Sequence, residues 1–223
     1  MDHPSASPRS TPPATSPAST NAGSEPAAGS TTTTSAPPLN PSRADKVLLQ
    51  LAESVELAAR DLYQSVLPAP TADTSSSSSS EPAGSALGDY EGLFTTLREN
   101  HEEYANSIAG LVGESAVPRS REVYDQFADR FTTTDVTELA AAAYDLESML
   151  VATHPEVIGE LVGLDGAAAL AAAVIVEARQ ASALAAVAGK LDDLDIMLVN
   201  SAEPVSLAAN TELLAAATAT TEG

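Results

Sequence analysis

The residues of this chain that could do chemistry are ionisable groups placed where apolar ones belong. His101 lies inside a regular repeat of Tyr90, Phe94, Leu97, His101, Tyr104, Ile108 and Leu111. Glu177 lies inside a second repeat, Leu170, Ala173, Glu177, Ala181, Leu184 and Ala188, with Gln180 one turn later on the same side. Glu56 and Glu147 each flank a further repeat by one position, so an exposed place is open to both. A lone carboxylate in an apolar interior is costly, and such groups are usually paired, protonated or metal-bound. Carboxylates and imidazoles together suit iron, manganese or zinc. The plainer alternative is a polar network in which Glu177 bonds His101, Tyr104 or Gln180 and helps to set register.

The elements that must position these groups are helices. Ser42 to Asp45 offers N-cap chemistry ahead of Leu48, Ala52, Val55, Ala59, Leu62 and Val66, one face of a first helix that Pro68 and Pro70 stop. The His101 repeat begins near Asp89 and ends at Gly113, where glycine suits a C-cap. Val123, Phe127 and Phe131 suggest a short helix in the next connection. Thr134-Asp135 caps a third long helix carrying Leu139, Ala143, Leu146, Leu150 and Thr153. His154-Pro155 is expected to break it, because a residue before proline avoids helical geometry. His154 is then an end-of-helix residue, with a short helix over 155–162. Asp165 is expected to cap the fourth long helix, closed by Gly189, and Leu191, Leu194 and Leu198 to add a last amphipathic piece. Consecutive heptad-like seams without a convincing strand predict an antiparallel four-helix bundle. The loops fit an up-down-up-down order, and a longer crossover between the second and third long helices is the open alternative.

The boundaries follow composition. Residues 1–42 hold most of the 15 prolines among Ser, Thr, Ala and Gly and read as a disordered tail. The bundle is expected over 43–200, with a Ser-rich loop at 70–87 containing Ser75 to Ser80, and a flexible segment over 201–223. Lys and Arg number 10 against 31 Asp and Glu, for a formal net charge of −21, which speaks against nucleic acid as a partner. Cysteine is absent, so thiolate catalysis, disulfides and Cys-ligated metal sites are excluded. No uncharged stretch reaches the roughly 18 residues of a membrane span. No nucleotide loop or serine-nucleophile elbow is present. No leader is evident, so the sequence as given reads as cytoplasmic, or as exported or cell-envelope if a signal peptide has been removed.

Four segments carry a resemblance to a known family. Leu51-Ala-Glu-Ser-Val-Glu-Leu-Ala-Ala-Arg-Asp-Leu-Tyr63 resembles the first helix of bacterial, especially actinobacterial, ferritin-like domain proteins, with Glu56 at their metal-glutamate position. Arg98-Glu-Asn-His-Glu-Glu-Tyr-Ala105 is similar to their second-helix motif: His101 matches one histidine and Tyr104 stands where another is common. Tyr144-Asp-Leu-Glu147 matches the third-helix motif. Val176-Glu-Ala-Arg-Gln-Ala-Ser-Ala-Leu184 resembles the fourth, with Gln180 in place of histidine.

The resemblance, over about residues 43 to 190, implies a carboxylate-bridged site between four helices. Such sites take one Glu from each of two helices and a Glu-x-x-His pair from each of the others, and hold two metals about 3.5 to 4 Å apart. Neither pair is intact here. The implied ligands are Glu56, His101, Glu147 and Glu177, with Tyr104 and Gln180 as weaker candidates, a set sufficient for one metal and thin for two. The implied cofactor is iron or manganese, with oxidase-type activity on dioxygen or peroxide. A non-catalytic structural or interaction module that kept the fold and lost the metal is favoured slightly over an enzyme. A coiled-coil-like module would make a homodimer regardless of metal.

Overall fold

The computed structural model describes residues 36–68, 87–113 and 117–208. The Ser75–Ser80 run and most of the two terminal segments lie outside the described residues. Among the described residues six helices follow in order: α1 Arg43–Val66, α2 Glu91–Val112, α3 Arg121–Phe127, α4 Val136–Glu160, α5 Leu164–Val187 and α6 Leu194–Leu198. Short 3-10 turns precede α2 (Gly88–Tyr90) and follow α3 (Ala128–Thr132). No strand occurs among the described residues.

The helix ends follow from local chemistry. Ser42 and Asp45 form a reciprocal capping box at the start of α1. Asp135 Oδ1 accepts from the N–H groups of Thr137 and Glu138 at the start of α4. Gly113 closes α2 in the left-handed region at φ 66°, where a side chain would be strained. The start of α5 differs from expectation. Its N-cap is Gly163, and Asp165 lies in the first turn without capping. The amides are met instead by distant chain. Leu164 N–H donates to the Pro38 carbonyl and Asp165 N–H to that of Leu39. Asp45 accepts from Val162 and Gly163 N–H. A Cβ at position 163 would fall 2.8 Å from the Asn40 carbonyl oxygen, so glycine permits this approach.

The four long helices form an antiparallel bundle. α1 packs chiefly on α2, and α4 on α5. Tyr63 near the end of α1 meets Phe94 near the start of α2, so these two are antiparallel. Tyr63 also meets Glu147, and Asp45 meets Gly163, which sets α4 antiparallel to α1. It follows that α2 and α4 run parallel. The connection described over 117–135, containing α3, therefore carries the chain back along the bundle. This corrects the up-down-up-down order in favour of the crossover. Val123, Phe127 and Phe131 pay into the core along the way, all buried against α1, α2 and α4 residues.

Two further expectations are corrected. Helix α4 does not break at His154-Pro155 but runs through Pro155 to Glu160. Proline forfeits one helical hydrogen bond, at a cost of ~3 kcal/mol in a helix interior. Buried anchors on both sides outweigh this: Thr153 Oγ1 accepts from the distant Val205 N–H at 3.0 Å, and Val157 is fully buried. Leu191, Leu194 and Leu198 do not form an amphipathic piece; all three are exposed. The segment after α6 instead lies along α4. Asn200 Nδ2 donates to the Ser148 carbonyl, and Val205, itself buried, donates its N–H to Thr153 Oγ1.

Helix α5 is long and apolar enough to cross a membrane, with a mean hydropathy of 1.5 over the relevant stretch. In this fold it packs as a bundle helix, with Leu170, Ala173, Ala181 and Leu184 buried and Ile175 exposed. The core has two apolar layers. Leu49, Ala52, Ile108, Val112, Val157 and Leu170 fill one end. Leu62, Tyr63, Phe94, Leu97, Leu146, Leu150 and Leu184 belong to the larger layer toward the other. The polar groups lie between them.

Candidate metal centre

Glu56, His101, Glu147, His154 and Glu177 come from four helices and are all fully buried. Each is on its helix's inward face, so the heptad periodicity that builds the core also delivers these groups into it. His101 Nδ1 lies 2.7 Å from Glu56 Oε2, and its Nε2 lies 3.0 Å from Glu147 Oε1. His154 Nε2 lies 2.7 Å from Glu56 Oε1 and 3.0 Å from Glu177 Oε1. Glu56 is therefore shared, one oxygen to each imidazole.

Tyr63, two turns beyond Glu56 on α1, closes one side. Its hydroxyl donates to Glu147 Oε1 at 2.6 Å, and its ring stacks on His101 with centroids 5.4 Å apart. Tyr104 is half-buried, edge-on to His101 with centroids 6.3 Å apart. Gln180 is buried one turn after Glu177.

The electrostatics follow from charges crowded together without water. Burial would raise the Glu56 pKa, but hydrogen bonds and charge from His101 and His154 outweigh it and hold the carboxyl down at about 2. Burial would lower that of His154, but Glu177 and Glu56 raise it to about 10. His101 is likewise lifted well above its ordinary value by Glu147 and Glu56 against the effect of burial. Glu177 is pushed up to about 7, first by burial and then by Glu56 and Glu147, with His154 opposing. Burial and the nearby carboxylates raise Tyr63 far above 10 and Tyr104 to about 12. Both phenols stay protonated at neutral pH. Without metal, protons held on the two imidazoles offset much of the carboxylate charge.

Hydrogen bonding leaves a remainder. Glu147 Oε2, Glu177 Oε2, His154 Nδ1 and both amide atoms of Gln180 are buried and have no partner. Among the described residues, these are the buried side-chain polar atoms so left, and all belong to this one site. An unsatisfied buried polar group costs about 1–3 kcal/mol, so such a concentration calls for an explanation, of which an ion is one.

A sequence profile of the ferritin-like domain family matches residues 44–190. The chain belongs to the ferritin-like domain family. Among curated proteins and solved structures, none matches it significantly. The matched span runs from the start of α1 to just past α5, so it takes in every residue of the buried cluster.

Of the positions singled out in the sequence, the fold brings Glu56, His101, Glu147 and Glu177 into direct hydrogen-bonded sequence through the two imidazoles. One ligand atom from each of Glu56, His101 and Glu177 lies within 4.8 Å of the others. Tyr104 and Gln180 sit at the margin without a hydrogen bond to the cluster. Arg60 pairs with Asp61 at 2.6 Å, away from the cluster, and Arg179 is exposed.

Sequence reasoning missed His154, placed at a helix end but standing at the centre of this ferritin-like domain. The signal was its position seven residues after Glu147, two turns along one face. Tyr63 stands in the same relation to Glu56. The proline after His154 hid the first of these.

Proposed function

We propose that this ferritin-like domain binds two divalent transition-metal ions, iron or manganese, between its four long helices. The observation that carries this reading is the placement of His154. With it the donor set becomes three carboxylates and two imidazoles, and Glu56 stands between the imidazoles with one oxygen toward each. The set that was thin for two ions without His154 is adequate with it.

The donors fit the group. Two carboxylate oxygens are buried and bare, which is costly without a cation to meet them. Glu56 would bridge. His101 with Glu147, and His154 with Glu177, would complete the two sides. Tyr63 would hold Glu147 in place through its hydroxyl, as an outer partner that orients a ligand. The apolar layers on either side would keep bulk water from the ions. Bound iron or manganese would supply one-electron redox chemistry toward dioxygen or peroxide, the basis for an oxidase-type activity.

A second reading has its own observation. Each imidazole already sits between two carboxylates, so the metal-free cluster is largely neutralised by protons. A non-catalytic module that retains this network for register and topology is the alternative.

Elemental analysis of protein produced with iron and manganese separates the two. About two metals per chain in the parent, lost in a Glu56→Ala/Glu177→Ala double variant and at least halved in His154→Ala, is the expected result. A folded parent without metal overturns the metal reading and leaves the network module.

A further inference from the structure

The outward faces of the long helices differ in charge. Helix α2 exposes Glu99 and Glu103, and α4 exposes Glu138, Glu156 and Glu160. On α5, Leu164, Ala168, Ala171, Ala172, Ile175 and Ala178 are exposed, and none is charged. Ile175 is 63% exposed. Their spacing of three and four keeps them in one row along the helix. The bundle core takes the opposite face of α5, through Leu170, Ala173 and Leu184. In a chain of net charge −21, an apolar row of this length is out of keeping with the rest of the surface.

The two edges of the row carry further features. Asp165 and Arg179 stand seven residues to either side of Ala172. At about 100° per residue they fall within ~40° of one another around the helix, along one edge of the row. Arg60, Arg98, Arg119, Arg121 and Arg130 each pair with a carboxylate. Arg179 is exposed and has no ion pair among the described residues. Along the other edge, Ala178 and Ser182 line a cleft of about 170 Å³, whose other walls include Val151 of α4 and the exposed Leu198 and Val199.

We propose that the outer face of α5 is a dimerisation surface. Its occupant is a second copy of this chain, packed antiparallel through α5 about a two-fold axis at Ala172. In that pairing, residues equidistant from Ala172 meet. Arg179 of each copy then lies against Asp165 of the other, so one register gives two ion pairs. Leu164 of each copy reaches the level of the other copy's Ala178 and Ser182, at the edge of the cleft. A two-fold antiparallel pair brings like edges together, so both contacts form at once. The seven-residue spacing of Asp165, Ala172 and Arg179 is that of a coiled-coil seam, and alanine at 168 and 172 lets the two helices approach closely. An anionic bilayer would repel a chain of this charge. A second copy supplies both complementary charges at the required spacing by symmetry. Metal plays no part in this contact.

The test is the mass of the full chain in solution, by light scattering and sedimentation at about 10 to 100 μM, which populates dimers of micromolar Kd. Circular dichroism checks that each variant is folded. The parent is expected at twice its chain mass. Ala172→Glu sets two carboxylates together at the axis and should give folded monomer. Arg179→Asp should weaken the dimer about tenfold or more, by placing like charges opposite each other. Asp165→Arg/Arg179→Asp exchanges the pair and should recover most of the parent's affinity. A monomeric parent overturns the proposal, and flotation of that monomer with neutral phosphatidylcholine vesicles would identify a bilayer as the occupant instead. A dimer that survives Ala172→Glu overturns it as well. So does a dimer indifferent to Arg179→Asp, or a defect that the exchange leaves in place.

Discussion

The two halves of the buried cluster are built from similar parts and finished differently. In the His101 half, both ring nitrogens meet carboxylates, and Tyr63 both stacks on the ring and donates to Glu147. Of its polar atoms only Glu147 Oε2 is left bare. In the His154 half, one ring nitrogen is divided between Glu56 and Glu177 and the other has no partner. Glu177 Oε2 and the whole Gln180 amide are bare as well. The first half is a polar network with one oxygen left over. The second holds unmet hydrogen-bonding capacity. An imidazole and two carboxylates thus differ in how fully their hydrogen bonds are met according to whether a neighbour such as Tyr63 closes the set.

The largest way to break this contrast is through the residue both halves share. Glu56→Ala would leave two buried imidazoles each short of a partner. Removing one member of a buried ion pair typically costs about 3–5 kcal/mol. A drop of this size in urea-unfolding stability, together with loss of metal from both halves, is expected. Loss from one half alone would show that Glu56 does not join them.

Tyr63→Phe tests the closed half. It leaves Glu147 without its best donor and should cost about 1–3 kcal/mol. Metal content should be nearly retained, because the phenol is an outer partner and not a ligand. A stability change below about 0.5 kcal/mol would mean the hydroxyl does not hold Glu147.

The pH dependence of metal-free protein sharpens the open half. Glu177 has its carboxyl raised to about 7 by burial, above its unfolded value near 4.5. Its contribution to stability is therefore fully present below about pH 4.5 and lost as pH rises through 7. His154, raised to about 10 chiefly by Glu177 and Glu56 against burial, contributes fully below about 6.5 and loses this as pH rises through 10. Both act in one direction, so thermal stability of the metal-free protein should fall from about pH 5 to pH 9. Glu177→Gln should flatten the part between about 5 and 7. Metal displaces the same protons, so the loaded protein should lose less stability over this range, or gain. Equal slopes with and without metal would show that the ions do not compete with these protons.

The smallest effect has the opposite sign. Gln180→Met removes a buried amide that bonds to nothing and keeps much of its volume. Metal-free protein should be unchanged or more stable by up to about 1 kcal/mol. Marked destabilisation would mean that Gln180 is already satisfied, and the contrast between the halves would weaken.

The sequence by itself determined the local elements. The caps at Ser42 and Asp135 and the stop at Gly113 depend on neighbouring residues alone, and apolar spacing shows which face of each helix turns inward. His101 and Glu177 were legible for that reason: each interrupts a seam otherwise made of apolar side chains. Tertiary structure decided the rest. The parallel run of α2 and α4 depends on where the connection through α3 leads, which its composition does not encode. The continuation of α4 through Pro155 depends on a balance: a local cost of one helical hydrogen bond against buried contacts made by Thr153, His154 and Val157 with distant parts of the chain. Local rules see only the cost. The cap at α5 likewise comes from Pro38, Leu39 and Asp45, more than a hundred residues away. Glu56 and Glu147, on the borders of their seams, could have faced water or the core until the packing of four helices placed the two imidazoles beside them.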